Sequence, residues 1–196
     1  MVLSHQARVR IPLGLPIDTC LALLGYRGAG KSTLGARLAE GLRRPFFDLD
    51  REIEMAQGRT IAALFRDEGE AAFRRIEAET LDGIVARGLL ARPGIVLAPG
   101  GGIVETPANR ALLRTRCCAI YLDVPAAVLL ARLEGQAAHG AERPRLTALP
   151  LAEEVRTVLA RRDPLYRECA RHVLTIAAAE SVDDTIRRVR GLFAAS

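Results

Sequence analysis

Residues Gly25–Ser32 read Gly-Tyr-Arg-Gly-Ala-Gly-Lys-Ser, a G-x-x-x-x-G-K-S string followed by Thr33. Glycines at those positions let a backbone curl until successive N–H groups point inward, which makes a cradle for phosphate oxygens. A helix beginning at the end of the cradle adds the positive pole of its dipole. The flanks fit this demand. Cys20–Leu24 is a short apolar run of buried-strand type, and Ser32–Gly41 carries Leu34 and Leu38 at helical spacing. Lys31 can then reach the β- and γ-phosphates of a nucleotide, and the Ser32 hydroxyl can ligate Mg²⁺. Lys31 is also the only lysine in the chain. The string alone fits a kinase, a GTPase, an ATPase or a transport motor.

The rest of the chain says what kind of fold surrounds the loop. Short apolar runs at Pro45–Asp50, Gly94–Ala98, Cys117–Val124 and Arg171–Ile176 read as further strands. Helical patterns fall between them, at Arg51–Gln57, Thr60–Phe65, Glu68–Arg87, Asn109–Thr115, Ala126–Glu134, Leu151–Arg162 and Val182–Phe193. Alternating strands and helices predict an α/β fold with a parallel sheet covered on both faces. With 196 residues the chain suits one domain, over 19–196, after an irregular tail at 1–18. There is no Trp and only 4% aromatics, so the core must rest on Leu, Ile, Val and Ala. Gln136–Pro150 has no period and reads as a mobile segment. Arg162-Asp163-Pro164 reads as a helix end, because proline disfavours continuation.

Three further groups carry chemistry. Asp48 and Asp50 are two apart, which on a strand puts both carboxylates on one face at the ligand crevice. One can help hold Mg²⁺ and the other can accept a proton from a substrate hydroxyl. Standing alone, the pair also fits a polar strand end with a helix-capping aspartate. Arg74 and Glu77 lie one helical turn apart, so the carboxylate can orient the guanidinium as a fork for a substrate carboxylate; a surface ion pair is the plainer alternative. Gly100, Gly101 and Gly102 follow an apolar strand, where backbone can approach a ligand closely. Many nucleotide hydrolases carry an acid there and this chain does not. Arg143, in the mobile segment, can close over transferring phosphoryl charge, and Arg162 can aim at the same crevice.

Taken in order and spacing, GYRGAGKST, Asp48-Leu49-Asp50 with Arg51-Glu52-Ile53-Glu54, Phe73-Arg74-Arg75-Ile76-Glu77, the triple glycine, Arg143-Pro144-Arg145-Leu146 and Arg162-Asp163-Pro164-Leu165-Tyr166 resemble the shikimate kinase family. The resemblance runs from about residue 20 to residue 176. It implies a three-layer P-loop kinase fold of nucleoside-monophosphate-kinase type, with a central five-stranded parallel sheet and a mobile lid near 136–150. It implies transfer of the ATP γ-phosphate to the 3-hydroxyl of shikimate, with Mg²⁺ as cofactor. Gly28, Ala29, Gly30, Lys31, Ser32 and Thr33 would cradle ATP, and Ser32 and Asp48 would hold the metal. Asp50 would bind substrate hydroxyls and serve as base. Arg74 and Arg162 would hold the shikimate carboxylate, and Gly100–Gly102 would contact the substrate. Arg132 would pack near adenine, and Arg143 would be the lid arginine, catalytic with Lys31 and Asp50. Pro99 and Ala177–Ala179 depart from the family's usual residues.

A net charge of +5 favours anionic partners, but the arginines are scattered rather than blocked into a run. ATP and a small acid are therefore the expected partners, without nucleic acid, membrane or a required second copy. The four cysteines have no metal-ligand spacing and read as reduced thiols, with a cytoplasmic location. Two other readings share the motifs: a ligand-sensing domain of the kind found in regulators of aromatic-acid breakdown, and a kinase for another hydroxy acid such as gluconate. Retention of Asp50, and only about twenty residues ahead of the domain, favour the enzyme.

Overall fold

The computed structural model describes residues 19–90, 94–138 and 147–194. Five strands form one parallel sheet in the order β2-β3-β1-β4-β5: β1 (Cys20–Leu24), β2 (Phe46–Asp48), β3 (Val96–Ala98), β4 (Cys117–Asp123) and β5 (His172–Thr175). The helices are α1 (Lys31–Leu42), α2 (Leu49–Gln57), α3 (Ile61–Leu90), α4 (Pro107–Arg116), α5 (Ala126–Ala138), α6 (Leu151–Cys169) and α7 (Val182–Ala194), with a 3₁₀ turn at Ile103–Glu105.

The period-two alternation of a strand divides the core. Leu21 and Leu23 of β1, with Ile120 and Leu122 of β4, face one layer containing Leu34, Leu38, Leu129 and Val189. Cys20, Ala22 and Leu24, with Ala119 and Tyr121, face the other, with Ile53, Leu64, Leu81 and Leu113. All five residues of β1 are buried, as expected of a central parallel strand. Cys117 and Cys118 point to opposite faces, and the Cys117 thiol lies 3.4 Å from that of Cys20.

The connection after β1 runs toward β2 and the one after β3 runs toward β4, so adjacent strands β1 and β3 send their chains in opposite directions. That divergence opens a crevice at their carboxyl ends. The loop at Gly25–Gly30 and the triple glycine at Gly100–Gly102 are its two lips.

Several local expectations are corrected. The second strand ends at Asp48, and Leu49 and Asp50 already belong to α2. Asp48 is the N-cap of that helix, its side chain accepting from Arg51 N, so the two carboxylates do not share a strand face. The sheet is only three residues deep at this edge, and the cap satisfies an N–H the helix leaves orphaned. The break within the α3 region falls at Gly69 (φ 80°, ψ 174°), a backbone conformation that glycine tolerates. Helix α6 does not stop at Pro164 but continues to Cys169. An internal proline costs about 3 kcal/mol, and tertiary contacts on both sides offset it: Tyr121 Oη donates to Asp163 at 2.9 Å, and the Tyr121 and Tyr166 rings stack at 4.9 Å. Of the expected mobile segment, Gln136–Ala138 close α5 and Thr147–Pro150 lead into α6. The remainder, and the tail at 1–18, lie outside the described residues.

Candidate active site

The phosphate cradle forms as its sequence demands. Gly25, Gly28 and Gly30 have φ of 147°, 80° and 92°, and Gly30 hands the chain to α1. Lys31 Nζ donates to Gly25 O (2.8 Å) and Tyr26 O (3.1 Å), which holds the ammonium across the loop's own carbonyls. Thr33 follows on the exposed first turn. Beside the loop, Arg132 of α5 donates to Gly28 O at 3.3 Å. Arg132 also lines a hollow with Ala29, Gly30, Ile176, Val182 and Thr185.

Ser32 and Asp48 meet: Ser32 Oγ donates to Asp48 Oδ2 at 2.5 Å. Both are hard oxygen donors at the cradle's edge, the donor type Mg²⁺ takes. Among the described residues no three His, Cys, Asp or Glu side chains gather as a metal cage. Two protein oxygens with the rest of the shell left to phosphate and water is the usual arrangement for this ion, so the residues fit it.

The triple glycine is explained by its neighbours. A β-carbon on Gly100 would lie 2.7 Å from Asp50 Oδ1, one on Gly101 3.2 Å from Arg27 N, and one on Gly102 2.7 Å from both terminal nitrogens of Arg74. Side chains at these three positions would press in turn on an acid, the phosphate loop and an arginine. Tyr166, one turn beyond Arg162 on α6, donates to Gly101 O and pins the middle of the turn. The uninterrupted helix through Pro164 is what lets Arg162 and Tyr166 face this turn together.

Arg74 and Arg162 converge here. Arg74 Nη1 bonds Glu77 Oε2 at 2.9 Å, as the helical spacing predicts, and Glu77 is buried. Nη2 of Arg74 lies 3.2 Å from Glu105 Oε2, and Nη2 of Arg162 lies 3.0 Å from the same oxygen. Burial pushes the Glu77 carboxyl above its ordinary range, against the pull of Arg74. Burial would raise Glu105 too, but the guanidiniums of Arg162, Arg161 and Arg74 outweigh it and hold that carboxyl low. Arg74 is partly desolvated, yet its three glutamates keep it more firmly protonated than usual.

Gly28–Thr33, Asp48, Asp50, Arg74, Gly100–Gly102, Arg132 and Arg162 therefore lie around one crevice. Arg143 lies outside the described residues. Sequence reasoning missed two participants. Glu105 closes the 3₁₀ turn directly after the glycines. Arg27, inside the phosphate loop, pairs with Glu154 of α6, whose carboxylate is fully buried and also accepts from Thr147 N (2.8 Å) and Oγ1 (3.1 Å).

Comparison with known proteins agrees with this geometry. The model of the family described as shikimate kinase matches residues 27–190. Shikimate kinase 2 of Enterobacter sp. (strain 638) is 43% identical over 152 residues, covering 78% of this chain and 83% of the relative. Shikimate kinase of Acinetobacter baylyi is 41% identical over 169 residues, covering 85% and 89%. The structure of shikimate kinase from Acinetobacter baumannii in complex with shikimate superposes with a TM-score of 0.79 at 35% identity, covering 89% of this chain and 92% of that one. The loop, the parallel sheet and these relatives together mark an ATP-dependent small-molecule kinase, and the chain belongs to the shikimate kinase family.

Proposed function

We propose that the protein transfers the γ-phosphate of ATP to the 3-hydroxyl of shikimate. The observation that carries this reading is the meeting of Arg74 and Arg162 within one site that also holds Asp50 and the phosphate loop. Two guanidiniums fit a carboxylate, an aspartate fits a hydroxyl, and the loop fits a triphosphate.

In this reading Gly28–Thr33 hold the phosphates and Lys31 stabilises charge on the transferring group. Ser32 and Asp48 would hold Mg²⁺, which would supply charge to screen the phosphate oxygens. Arg132 borders the adenine. Arg74 and Arg162 grip the acceptor carboxylate and so fix its ring, while the side-chain-free turn at Gly100–Gly102 admits the ring beside Asp50. Asp50 takes the proton from the acceptor hydroxyl as its oxygen bonds to the γ-phosphorus and the bond from that phosphorus to the bridging oxygen breaks. The proton then passes to solvent and ADP leaves.

The test is ATP-dependent phosphorylation with shikimate, gluconate and quinate offered in parallel. Turnover of shikimate well ahead of the other two is expected. No turnover of shikimate at millimolar concentration would sink the reading, and turnover of gluconate instead would move the protein to another acceptor.

A further inference from the structure

A protein carboxylate stands at the point where Arg74 and Arg162 converge. Glu105 Oε2 accepts from Nη2 of both, at 3.2 and 3.0 Å, while its other oxygen is held by Arg161. We infer that Glu105 is a specificity-determining residue: its carboxylate occupies the acceptor's carboxylate subsite and is exchanged for the acceptor's own carboxylate on binding. This rests on the reading of Arg74 and Arg162 as that subsite.

Three observations favour exchange over a supporting role. Arg74 already has an orienting partner in buried Glu77, and the Arg162 side chain is only 4% exposed on a packed helix, so neither needs Glu105 to fix its place. Of the other donors, Arg74 Nη1 is on Glu77 and Arg162 Nε is buried without a hydrogen-bond partner, while Glu105 shares Arg74 Nη2 with the exposed Glu70. The Nη2 groups that Glu105 engages are therefore the ones an incoming carboxylate needs. Glu105 also has somewhere to go. It ends a short 3₁₀ turn, and its third partner, Arg161, is 63% exposed. Exchanging the Glu105 carboxylate for the acceptor's at the two Nη2 groups leaves the charge at the fork unchanged, and exposed Arg161 can follow Glu105 outward.

An internal competitor raises the apparent dissociation constant by the inverse of the fraction of time the fork stands open. If that fraction is about a tenth, Glu105→Gln and Glu105→Ala should each lower the shikimate KM about 10-fold. The shift falls on KM and not on kcat. Calorimetric titration of shikimate without ATP should show the same gain in affinity. A shikimate analogue with a carboxamide in place of the carboxylate should gain nothing from either substitution. An unchanged or raised KM in both variants overturns the exchange. Arg162→Ala separates the two levels of the argument. If it raises the shikimate KM while the Glu105 variants fail to lower it, only the exchange is wrong. If it leaves the shikimate KM unchanged, the carboxylate subsite itself is wrong and the exchange falls with it.

Discussion

The two ends of the crevice are built differently. At the nucleotide end, Lys31 reaches carbonyls five and six positions away, and Ser32 reaches Asp48 sixteen positions away. At the acceptor end, Glu105 binds arginines 31 and 57 positions away, drawn from α3 and α6. The first end is made mostly of backbone and one contiguous string, to which Asp48 and Arg132 add single side chains. The second is made of ionised side chains from three separate segments, and it exists only when the whole fold does. Phosphate binding is thus nearly portable, whereas choice of acceptor is a property of long-range packing.

Three substitutions test that contrast, in falling order of effect. Asp50→Asn stands between the two ends. Loss of a general base costs about 10²–10⁴-fold, so steady-state assays should show kcat reduced on that scale with ATP affinity little changed; near wild-type turnover would remove Asp50 from the role. Glu154→Ala attacks the strut that joins the ends, since it removes the buried carboxylate that balances Arg27 of the phosphate loop. Breaking such a pair costs about 3–5 kcal/mol, readable in urea unfolding. A loss below about 1 kcal/mol, the range of exposed pairs, would show the strut to be inert. Gly102→Ala touches the acceptor end alone. Its new β-carbon would meet Arg74 at 2.7 Å, and only the flexible tip of that side chain has to yield. Acceptor kcat/KM should fall about 10–100-fold by misplacement of the guanidinium, with the ATP KM and melting temperature nearly unmoved. An equal change in both KM values would mean that the two ends are not separable.

How much of this was legible in the sequence follows the same division. The phosphate loop, the strand at Cys20–Leu24 and the Arg74–Glu77 pair could be read because each is local, fixed by a turn geometry, a run of apolar residues or one turn of helix. The pairing of Asp48 with Asp50 was placed on the wrong element, since a residue can end a strand and cap a helix at once and period-two reasoning cannot see the change. Pro164 looked like a helix end because local propensity opposes it, and only the contacts of Asp163 and Tyr166 with Tyr121 overrule that. Glu105 gave no signal, because its partners come from α3 and α6, two helices far apart in the chain that meet it only through the folded turn. Glu154 left a faint one: an acid preceding Val155 and Val158, both of which enter the core.

Lys31, the only lysine, has a consequence outside nucleotide binding. Nearly all the positive charge of this molecule is carried by arginine, which neither acylates nor forms imines readily and does not lose its proton in water. The protein surface is therefore basic yet almost silent toward amine chemistry. Its one side-chain amine is 9% exposed and hydrogen-bonded across the cradle. Any amine-directed label, cross-linker or acetyl donor that modifies a side chain here can do so only inside the nucleotide site, so covalent marking at lysine and loss of ATP binding become the same event.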